Sequence, residues 1–504
     1  METTTTPIIK ANKLEPIANK QRIQVMDLLR GFALIGIIFM NIEWFNRPLS
    51  ELVSFDLSQT GGAWATSWLV KVFIEGKFYK LFSILFGMGF AVMLINAQQA
   101  GRPFGAWFIR RMLALFLFGM AHMLFFWGGD IIHDYAVTGL FLLGFVYLLN
   151  TQRLAKYNQP KTFANVAASL ILAPLIVTLI AALFFGSTRT NEVVTTEWKE
   201  RTAVLNGAES KLSEYKLSEE FLNLSTIDAS SIQTLAENSG AKDDKQTVLA
   251  NETVELSSEE KITARIEKRF QRKKEQAVAL EKERQIFARA SYWEVVQFRI
   301  DSVAAELSKT PAMAFFVCMP LFMIGYWLVA SEKIKNPEEH TSFFNVLCWG
   351  GLGVGLVINI VCVFIMLHPA TQYAREIQIA SNNLFFYGQY ILCLGYIGLF
   401  VKLSLKPWFI KGFSWLAPLG KMALTNYISH SIILSSLFYG YAGAMFGQVG
   451  RAEQVIIVVL ILLVQVVFCH FWLKVFRFGP LEWLWRSFTY LKWQPLKVKA
   501  EVIS

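Results

Sequence analysis

Long apolar runs recur along this chain, and they limit the folds that it can adopt. A helix needs about 20 apolar residues to cross the roughly 30 Å hydrocarbon core of a bilayer. Hydrophobic residues make up 54% of the 504 residues and charged residues only 17%, a balance typical of membrane proteins. The runs predict ten transmembrane helices, at residues 31–47, 78–97, 112–128, 135–150, 164–186, 311–330, 345–367, 383–403, 423–447 and 454–475. The predicted fold class is therefore an all-α, polytopic integral membrane helix bundle.

Composition divides the chain into five parts. We predict a cytoplasmic N-terminal tail (1–26), helices one to five (27–186), a long polar extracytoplasmic insert with helical and disordered portions (187–308), helices six to ten (309–476) and a cytoplasmic amphipathic tail (477–504). Within the insert, residues 259–290 have a helical pattern with a weak apolar stripe for packing or dimerisation. Two interpretations of the insert stay open: a solvated spacer, or a cap over the extracytoplasmic mouth that biases the choice of acceptor.

Lysine and arginine are concentrated in alternate short loops, which predicts the orientation of the chain. They cluster before the first span and after every even-numbered span; the loop after the first span, with Arg47, Lys71 and Lys77, is the exception. The positive-inside rule places both termini in the cytoplasm, and we expect a plasma membrane, the bacterial inner membrane. No signal-peptide pattern precedes the first span, so a retained anchor is expected there. These loops account for the net charge of +10, and no nucleic-acid partner is expected.

Cysteine and histidine usage does not suggest a metal centre. The five cysteines all fall within predicted spans and form no CxxC pair, so they are interpreted as small buried hydrophobic residues. The six histidines show neither an HExxH motif nor paired-ligand spacing. We therefore expect no metal and no permanently bound cofactor.

Two histidines are candidates for catalysis. His122 lies inside the third span, and His133 lies at its extracytoplasmic end between Asp130 and Asp134. An ionisable residue at membrane depth is costly and usually has a function, and the flanking carboxylates would orient His133 as a general base. The structural alternative is that Asp130 caps the fourth helix while His133 bonds its neighbours at the water interface.

Polar residues also mark the two ends of the first span. Asn41, at the outer end, is either an oxyanion-type donor in a low-dielectric site or an amide that joins two helices. Asp27 and Arg30 lie at the cytoplasmic end. They form either an ion pair or, through Arg30, part of a site for a phosphorylated donor.

The ninth span carries a further polar face. Asn426, Ser429 and His430 recur at helical spacing and can share one side of the helix. Such a face must point into the bundle, either as structure or, together with Asp130, as a substrate path.

Five blocks of sequence, in order along the chain, resemble the YeiB family, also called domain of unknown function 418. They are RIQVMDLLRGFALIGIIFMNI, KFYKLFSILFGMGF, the pair RRMLALFLFGMAH and GDIIHDYAVTGLFLL, GKMALTNYISHSII, and FRFGPLEWLWRSFTYLK. Only the polar insert lies outside the resemblance.

That family is in turn similar to the wider group of transmembrane acyltransferases, which move an acyl unit from a cytoplasmic donor, often acetyl-CoA, to an acceptor across the membrane, usually a sugar. Asp27, Arg30 and Gly31 match the group's opening stretch. Related enzymes carry a histidine at the end of the first helix or in the following loop. Here no histidine lies between Asn41 and His122, so the resemblance implies that His122 or His133 is the base.

Three functions remain open from the sequence. The first is an acyltransferase that moves an acyl group from a cytoplasmic donor such as acetyl-CoA to an extracytoplasmic acceptor. The second is a transporter or flippase of a small molecule or lipid-linked substrate, and the third is a non-enzymatic envelope protein. The expected partners are the lipid bilayer and a small-molecule, sugar or lipid substrate, and assembly into a homo-oligomer is open.

Overall fold

The computed structural model describes residues 24–48, 59–187, 191–224, 258–368, 371 and 375–498. Most of the predicted N-terminal tail, the middle of the insert (225–257) and the last six residues lie outside the described residues. Where the chain is described, it folds into helices, with one isolated antiparallel bridge between Phe476 and Lys497. The eighteen α-helices, numbered here in chain order, are α1 Gln24–Asn46, α2 Gly61–Leu69, α3 Phe78–Gln99, α4 Gly105–Phe125, α5 Ile132–Leu149, α6 Pro160–Ser187, α7 Asn191–Lys216, α8 Glu219–Leu224, α9 Ser258–Arg289, α10 Tyr292–Ala312, α11 Met319–Ala330, α12 Thr341–Leu367, α13 Arg375–Ser404, α14 Pro407–Phe413, α15 Leu416–Lys421, α16 Ala423–Phe438, α17 Arg451–Val475 and α18 Pro480–Tyr490.

The predicted class, an all-α polytopic membrane protein, is confirmed. Among the described residues, nine helical segments are long and apolar enough to cross a membrane. The predicted run 423–447 corresponds to α16, which has only 16 residues and is too short to be counted among the nine. Each of the other nine predicted runs overlaps one of the nine segments.

Two of the nine segments are longer than the sequence predicted. Gly61–Gln99 and Tyr292–Ala330 each extend over 39 residues, because a π-helical turn (Val70–Ile74 or Met313–Cys318) joins a second helix to the predicted span. The second segment starts inside the region predicted as the polar insert. Its first helix, α10, buries one face only, so no continuous apolar run marks it.

α1 lies at the centre of the bundle and packs closely against α15. Gly31 faces the backbone of Leu416, where an added Cβ would lie 2.2 Å from the carbonyl oxygen. Gly420 makes the reciprocal contact, and its added Cβ would lie 2.0 Å from the carbonyl oxygen of Asp27. Two separate sequence blocks, Arg-Gly in the first span and Gly-Lys before the ninth, therefore form one contact between backbones. We call the two ends of the bundle the Arg30 end, where α1 begins, and the Glu43 end, where it finishes.

The described part of the insert is a helical hairpin. α7 and α9 pack side by side, with Gly207 of α7 against Ile266 of the predicted apolar stripe. The stripe is thus used within the chain. Ion pairs that cross from one helix to the other include Arg265 with Glu200 and Lys211 with Glu267. Charges of residues 259–290 are thus paired with charges of α7.

The hairpin is attached to the bundle at the Glu43 end. Phe287, near the end of α9, belongs to one apolar cluster with Phe45 of α1 and Trp127 after α4. α10 continues from this cluster into the bundle, and Arg299 donates to the carbonyl of Leu124 near the end of α4.

A break between the π-helical turn and α3 is stabilised by two fully buried lysines. Lys77 Nζ donates to the Lys71 carbonyl at 2.8 Å, and Lys80 Nζ donates to the Gly76 carbonyl at 2.9 Å and to Gln389 Oε1 at 2.6 Å. The ammonium groups satisfy carbonyl oxygens that lose their helical partners at the break. Lys77 is therefore buried in the bundle and Lys71 is half-buried in the π-helical turn, so two of the three charges that departed from the loop pattern do not lie in an exposed loop.

Candidate active site

A cavity of about 260 Å³ lies between α1, α3, α4, α5, α15, α16 and α18. Apolar side chains such as Phe82, Leu85 and Leu115 form its middle. The charged residues that line it, at the Arg30 end, are Asp27, Arg30, Arg111, Lys421, Glu482 and Arg486. The residues that close the other end are Ile131, Ile132, Tyr135 and Tyr427.

Arg111 is the most buried cation of the cavity wall. Its guanidinium lies over the ring of Trp485 at 3.6 Å from the centroid, and the Trp485 indole N–H donates to the Arg111 carbonyl at 2.9 Å. The Arg111 Nε atom is buried and has no hydrogen-bond partner among the described residues. A buried donor of this kind, aligned by a stacked ring, suits an anionic ligand.

Asp27 and Arg30 form the ion pair that was one of their two predicted roles, with 3.1 Å between Arg30 Nη1 and Asp27 Oδ1. Both side chains also line the cavity. The pairing therefore does not exclude the second role, contact between Arg30 and a ligand.

Glu482 of α18 stabilises the start of α16. Its carboxylate accepts from the backbone N–H groups of Leu424 (2.7 Å) and Thr425 (3.0 Å) and from the Thr425 hydroxyl (2.6 Å). Burial raises the pKa of Glu482, while these hydrogen bonds act in the opposite direction. This carboxylate links α18 to α16 across the charged end of the cavity.

Replacing Glu482 by alanine is expected to lower the free energy of unfolding by about 2 kcal/mol, because three donors at a helix start lose their acceptor. Thermal unfolding of the purified protein in detergent would measure the change. Glu338→Ala, which removes an exposed carboxylate, is the matched control and should stay within about 0.5 kcal/mol of the wild type. Equal melting temperatures for the two variants would contradict the capping role.

The two candidate histidines meet at one carboxylate. His122 Nδ1 lies 2.8 Å from Asp130 Oδ1, and His133 Nδ1 lies 2.9 Å from Asp130 Oδ2, which also accepts from the His133 backbone N–H at 3.0 Å. Burial alone would raise the pKa of Asp130, but the hydrogen bonds from the two histidines outweigh it and lower the pKa from 3.8 to about 2. The carboxylate is therefore ionised and accepts from both rings.

An ionised carboxylate only accepts hydrogen bonds, so each ring carries its proton on Nδ1. On a neutral ring Nε2 is then an acceptor, and His133 Nε2 also lies 3.5 Å from Asp134 Oδ1, a carboxylate that favours a second proton on that ring. Ser431 Oγ lies 2.7 Å from His122 Nε2, and Thr310 Oγ1 lies 3.0 Å from His133 Nε2. His122 thus lies between a carboxylate and a hydroxyl, the orientation that a general base requires, whereas His133 lies between the carboxylates of Asp130 and Asp134.

The histidine cluster adjoins the closed end of the cavity. Ile131 and Ile132, which line the cavity, separate Asp130 from His133 in the chain, and the ring of Tyr427 lies 5.1 Å from that of His122. Arg111 and His122 belong to one helix, α4, and are eleven residues apart. That spacing places them on the same helix face, about 16 Å apart along the axis.

The other predicted site residues lie elsewhere. Asn41 is buried on the α1 face that also carries Arg30 and Ile37, and none of the hydrogen bonds found among the described residues joins it to His122 or His133. Asn426, Ser429 and His430 face α17: Asn426 contacts Cys469, and the other two bond to Gln465. They form a polar contact between two helices and do not line the cavity.

Several residues of the site were not among the predicted ones, including Ser431, Thr310, Arg111, Glu482 and Trp485. Ser431 follows His430 directly, but it projects from a different face of α16 than the polar set at 426, 429 and 430. Thr310 lies at the boundary between the predicted insert and the sixth span. Arg111 was counted only as a loop charge. Among the described residues, no group of three or more histidine, cysteine, aspartate or glutamate side chains has the arrangement of a metal site.

Comparison with known proteins finds relatives along nearly the whole chain. A family model described as a protein of unknown function (DUF418) matches residues 328–492. The chain is 30% identical to uncharacterized protein YxaH of Bacillus subtilis over 97% of this chain and 100% of the relative. It is 24% identical to uncharacterized protein YeiB of Escherichia coli, over 93% of this chain and 96% of the relative. No solved structure matches the chain significantly.

Proposed function

This chain belongs to the DUF418 family of proteins of unknown function, as its sequence blocks predicted, and we propose that it is a membrane acyltransferase. In this proposal a phosphate-bearing acyl donor such as acetyl-CoA occupies the cavity from the cytoplasmic side. The acceptor, a sugar or a lipid-linked molecule, approaches the histidine cluster from the other side of the plasma membrane. The lysine and arginine pattern of the short loops supports this orientation.

The main support for the proposal is that the two ends of the cavity differ in charge and chemistry. One end has four cationic side chains and two acidic ones, and the other end adjoins a histidine pair oriented by a shared carboxylate. The distance of about 16 Å along α4 suits an extended donor whose anionic group and reactive carbonyl are far apart. The apolar middle excludes water, which would otherwise hydrolyse a reactive acyl group.

The residues of the cavity then have distinct roles. Arg111 and Arg30 bind the phosphates of the donor, and Trp485 holds the Arg111 guanidinium in place. The Nε2 atom of His122 accepts the proton of the attacking hydroxyl, and Asp130 stabilises the imidazolium that forms. No resident cofactor is needed for these steps, because the donor itself supplies the acyl group.

Binding of acetyl-CoA to the purified protein tests the donor site. We expect Arg111→Met to raise the dissociation constant of acetyl-CoA about 10- to 100-fold. This is the loss of affinity that corresponds to one charge-assisted hydrogen bond. Isothermal titration calorimetry in detergent would measure it. Arg110→Met is the matched control, because Arg110 bonds to the Thr489 carbonyl and does not line the cavity.

His122→Ala should bind acetyl-CoA normally but release its thiol at least about 100-fold more slowly than the wild type when membrane extract supplies acceptors. If neither acetyl-CoA nor a longer acyl-CoA binds below millimolar concentration, the acyltransferase proposal fails.

A transporter is the second candidate, and the break before α3 favours it. Discontinuous helices with ionisable residues at membrane depth often mark substrate paths, and Lys77 and Lys80 are fully buried at such a break. Substrate uptake by proteoliposomes, lost in Lys80→Met and independent of His122, would favour transport over acyl transfer.

A further inference from the structure

We propose that Ser431 is the nucleophile of the reaction and carries the acyl group as an ester between donor and acceptor; this inference rests on the proposed acyl transfer. Ser431 Oγ lies 2.7 Å from His122 Nε2, and His122 Nδ1 lies 2.8 Å from Asp130 Oδ1. The serine is thus within hydrogen-bond distance of the histidine, and the histidine is within hydrogen-bond distance of the aspartate. This is the arrangement that activates a serine hydroxyl for covalent catalysis.

The side chain of Ser431 behaves differently from its neighbours in α16. A serine within a helix usually bonds back to a carbonyl of the preceding turn. Ser429 donates to the Asn426 carbonyl and Ser435 to the Ile432 carbonyl. Ser431 instead points across to another helix and bonds to the imidazole of His122. Its hydroxyl is therefore available to the base and is not used to satisfy its own helix.

Ser431 lies one helical turn beyond the cavity. Tyr427, one turn earlier in α16, lines the cavity, and its ring lies against that of His122. Ser431 and His122 are both about 1% exposed, so an acyl group reaches them only when the Tyr427 ring rotates away. This barrier would keep water from the ester once it has formed.

A candidate donor for the developing oxyanion lies near His122. The indole N–H of Trp127 is buried without a partner among the described residues, and its ring lies 6.3 Å from that of His122. A buried donor left unpaired next to a candidate base suits a negative charge that exists only during the reaction.

The chemistry balances in two steps. In the first, Ser431 Oγ attacks the thioester carbonyl, its proton passes to His122 Nε2, and the carbon–sulfur bond breaks as that proton moves to the thiolate. In the second, an acceptor hydroxyl attacks the ester and gives its proton to His122, and the Ser431 oxygen leaves and takes the proton back. No oxidant or other reactant is required.

Covalent labelling of the full-length protein in detergent tests the inference. Trypsin should release residues 422–451 as one peptide, which contains Ser429, Ser431, Ser435 and Ser436. We expect an alkyl fluorophosphonate to modify this peptide at Ser431, and acetyl-CoA without acceptor to leave an acetyl ester there. Both products would be located by tandem mass spectrometry. His122→Ala should slow both reactions at least about 100-fold.

Ser431→Ala should abolish both labels, and Ser435→Ala, a buried serine one turn further along α16, should keep them. Ser431→Cys tests whether the substitution disturbs folding, because a folded variant should elute normally from size-exclusion chromatography. If His122 activates this position, the cysteine should react with N-ethylmaleimide faster in Ser431→Cys than in Ser431→Cys/His122→Ala. Thiol release from acetyl-CoA that persists in Ser431→Ala would overturn the nucleophile but leave acyl transfer standing. Fluorophosphonate labelling of Ser431 without any reaction of acetyl-CoA would support the nucleophile and overturn the donor.

Discussion

Replacing Asp130 by alanine is expected to lower the free energy of unfolding by about 3 kcal/mol or more. The substitution removes the acceptor of two imidazole N–H groups and of the His133 backbone N–H. Each buried donor that loses its partner costs about 1–3 kcal/mol, and Asp130 itself is buried. Gly119 shows how closely the site is packed, because its added Cβ would lie 2.8 Å from Asp130 Oδ2.

Thermal unfolding in detergent, followed by size-exclusion chromatography, would measure this loss. Asp301→Ala is the matched control, because Asp301 is an exposed carboxylate of α10 that accepts from Gln297. It should change stability by no more than about 0.5 kcal/mol. An Asp130→Ala protein as stable as the control would show that the two histidines do not depend on this carboxylate.

The same carboxylate predicts a pH dependence. The pKa of Asp130 in the folded protein, about 2, lies below its ordinary value of 3.8. Its contribution to stability is therefore fully present above about pH 4 and is lost as the pH falls towards 2. The stability advantage of the wild type over Asp130→Asn, which cannot ionise, should narrow between about pH 5 and pH 3, below the range in which histidine side chains ordinarily titrate. An advantage at pH 3 that equals or exceeds the advantage at pH 5 would contradict the low pKa.

Much of the fold follows from hydropathy alone. In a bilayer every backbone polar group must be satisfied within the chain, so long apolar runs can only be helices, and nine of the ten predicted runs overlap segments that are long and apolar enough to span a membrane. Hydropathy does not identify the bounds of a helix that is short or only partly apolar. α16 is short because Glu482 and a turn at Met422 fix its start, and α10 has one polar face.

The candidate site was accessible to sequence reasoning only where its contacts are local. Asp130 and His133 are three residues apart, so their proximity could be predicted from spacing. Ser431 contacts His122 across 309 residues of sequence, and the spacing of polar residues in its own helix favoured the opposite face. A pattern within one helix shows which residues share a side of that helix, but it does not show which of the two polar sides contacts His122.

Gly31→Ala is expected to prevent normal assembly of the bundle. The new methyl group would lie 2.2 Å from the carbonyl oxygen of Leu416 and 2.9 Å from its carbonyl carbon. Because the atoms in contact belong to the backbone, no side-chain rotation can relieve the overlap, and α1 must move away from α15. Overpacking costs about 1–3 kcal/mol and occasionally more, and we expect the upper end of that range. The measurement is the fraction of protein that elutes as a single species after graded heating.

Three further variants distinguish a backbone contact from a general intolerance of alanine. Gly353→Ala, in α12, adds a methyl group with nothing within 4 Å and should be neutral or stabilising by up to about 1 kcal/mol. Gly420→Ala should reproduce the Gly31→Ala defect, because it meets the Asp27 carbonyl from the other side of the same contact.

Leu416→Ala should not rescue Gly31→Ala, since the Leu416 side chain is not the main obstacle. Rescue would mean that the helices are held apart by side chains. Failure of rescue would mean that Gly31 and Gly420 together set the distance between α1 and α15, and with it the position of Arg30 in the cavity wall.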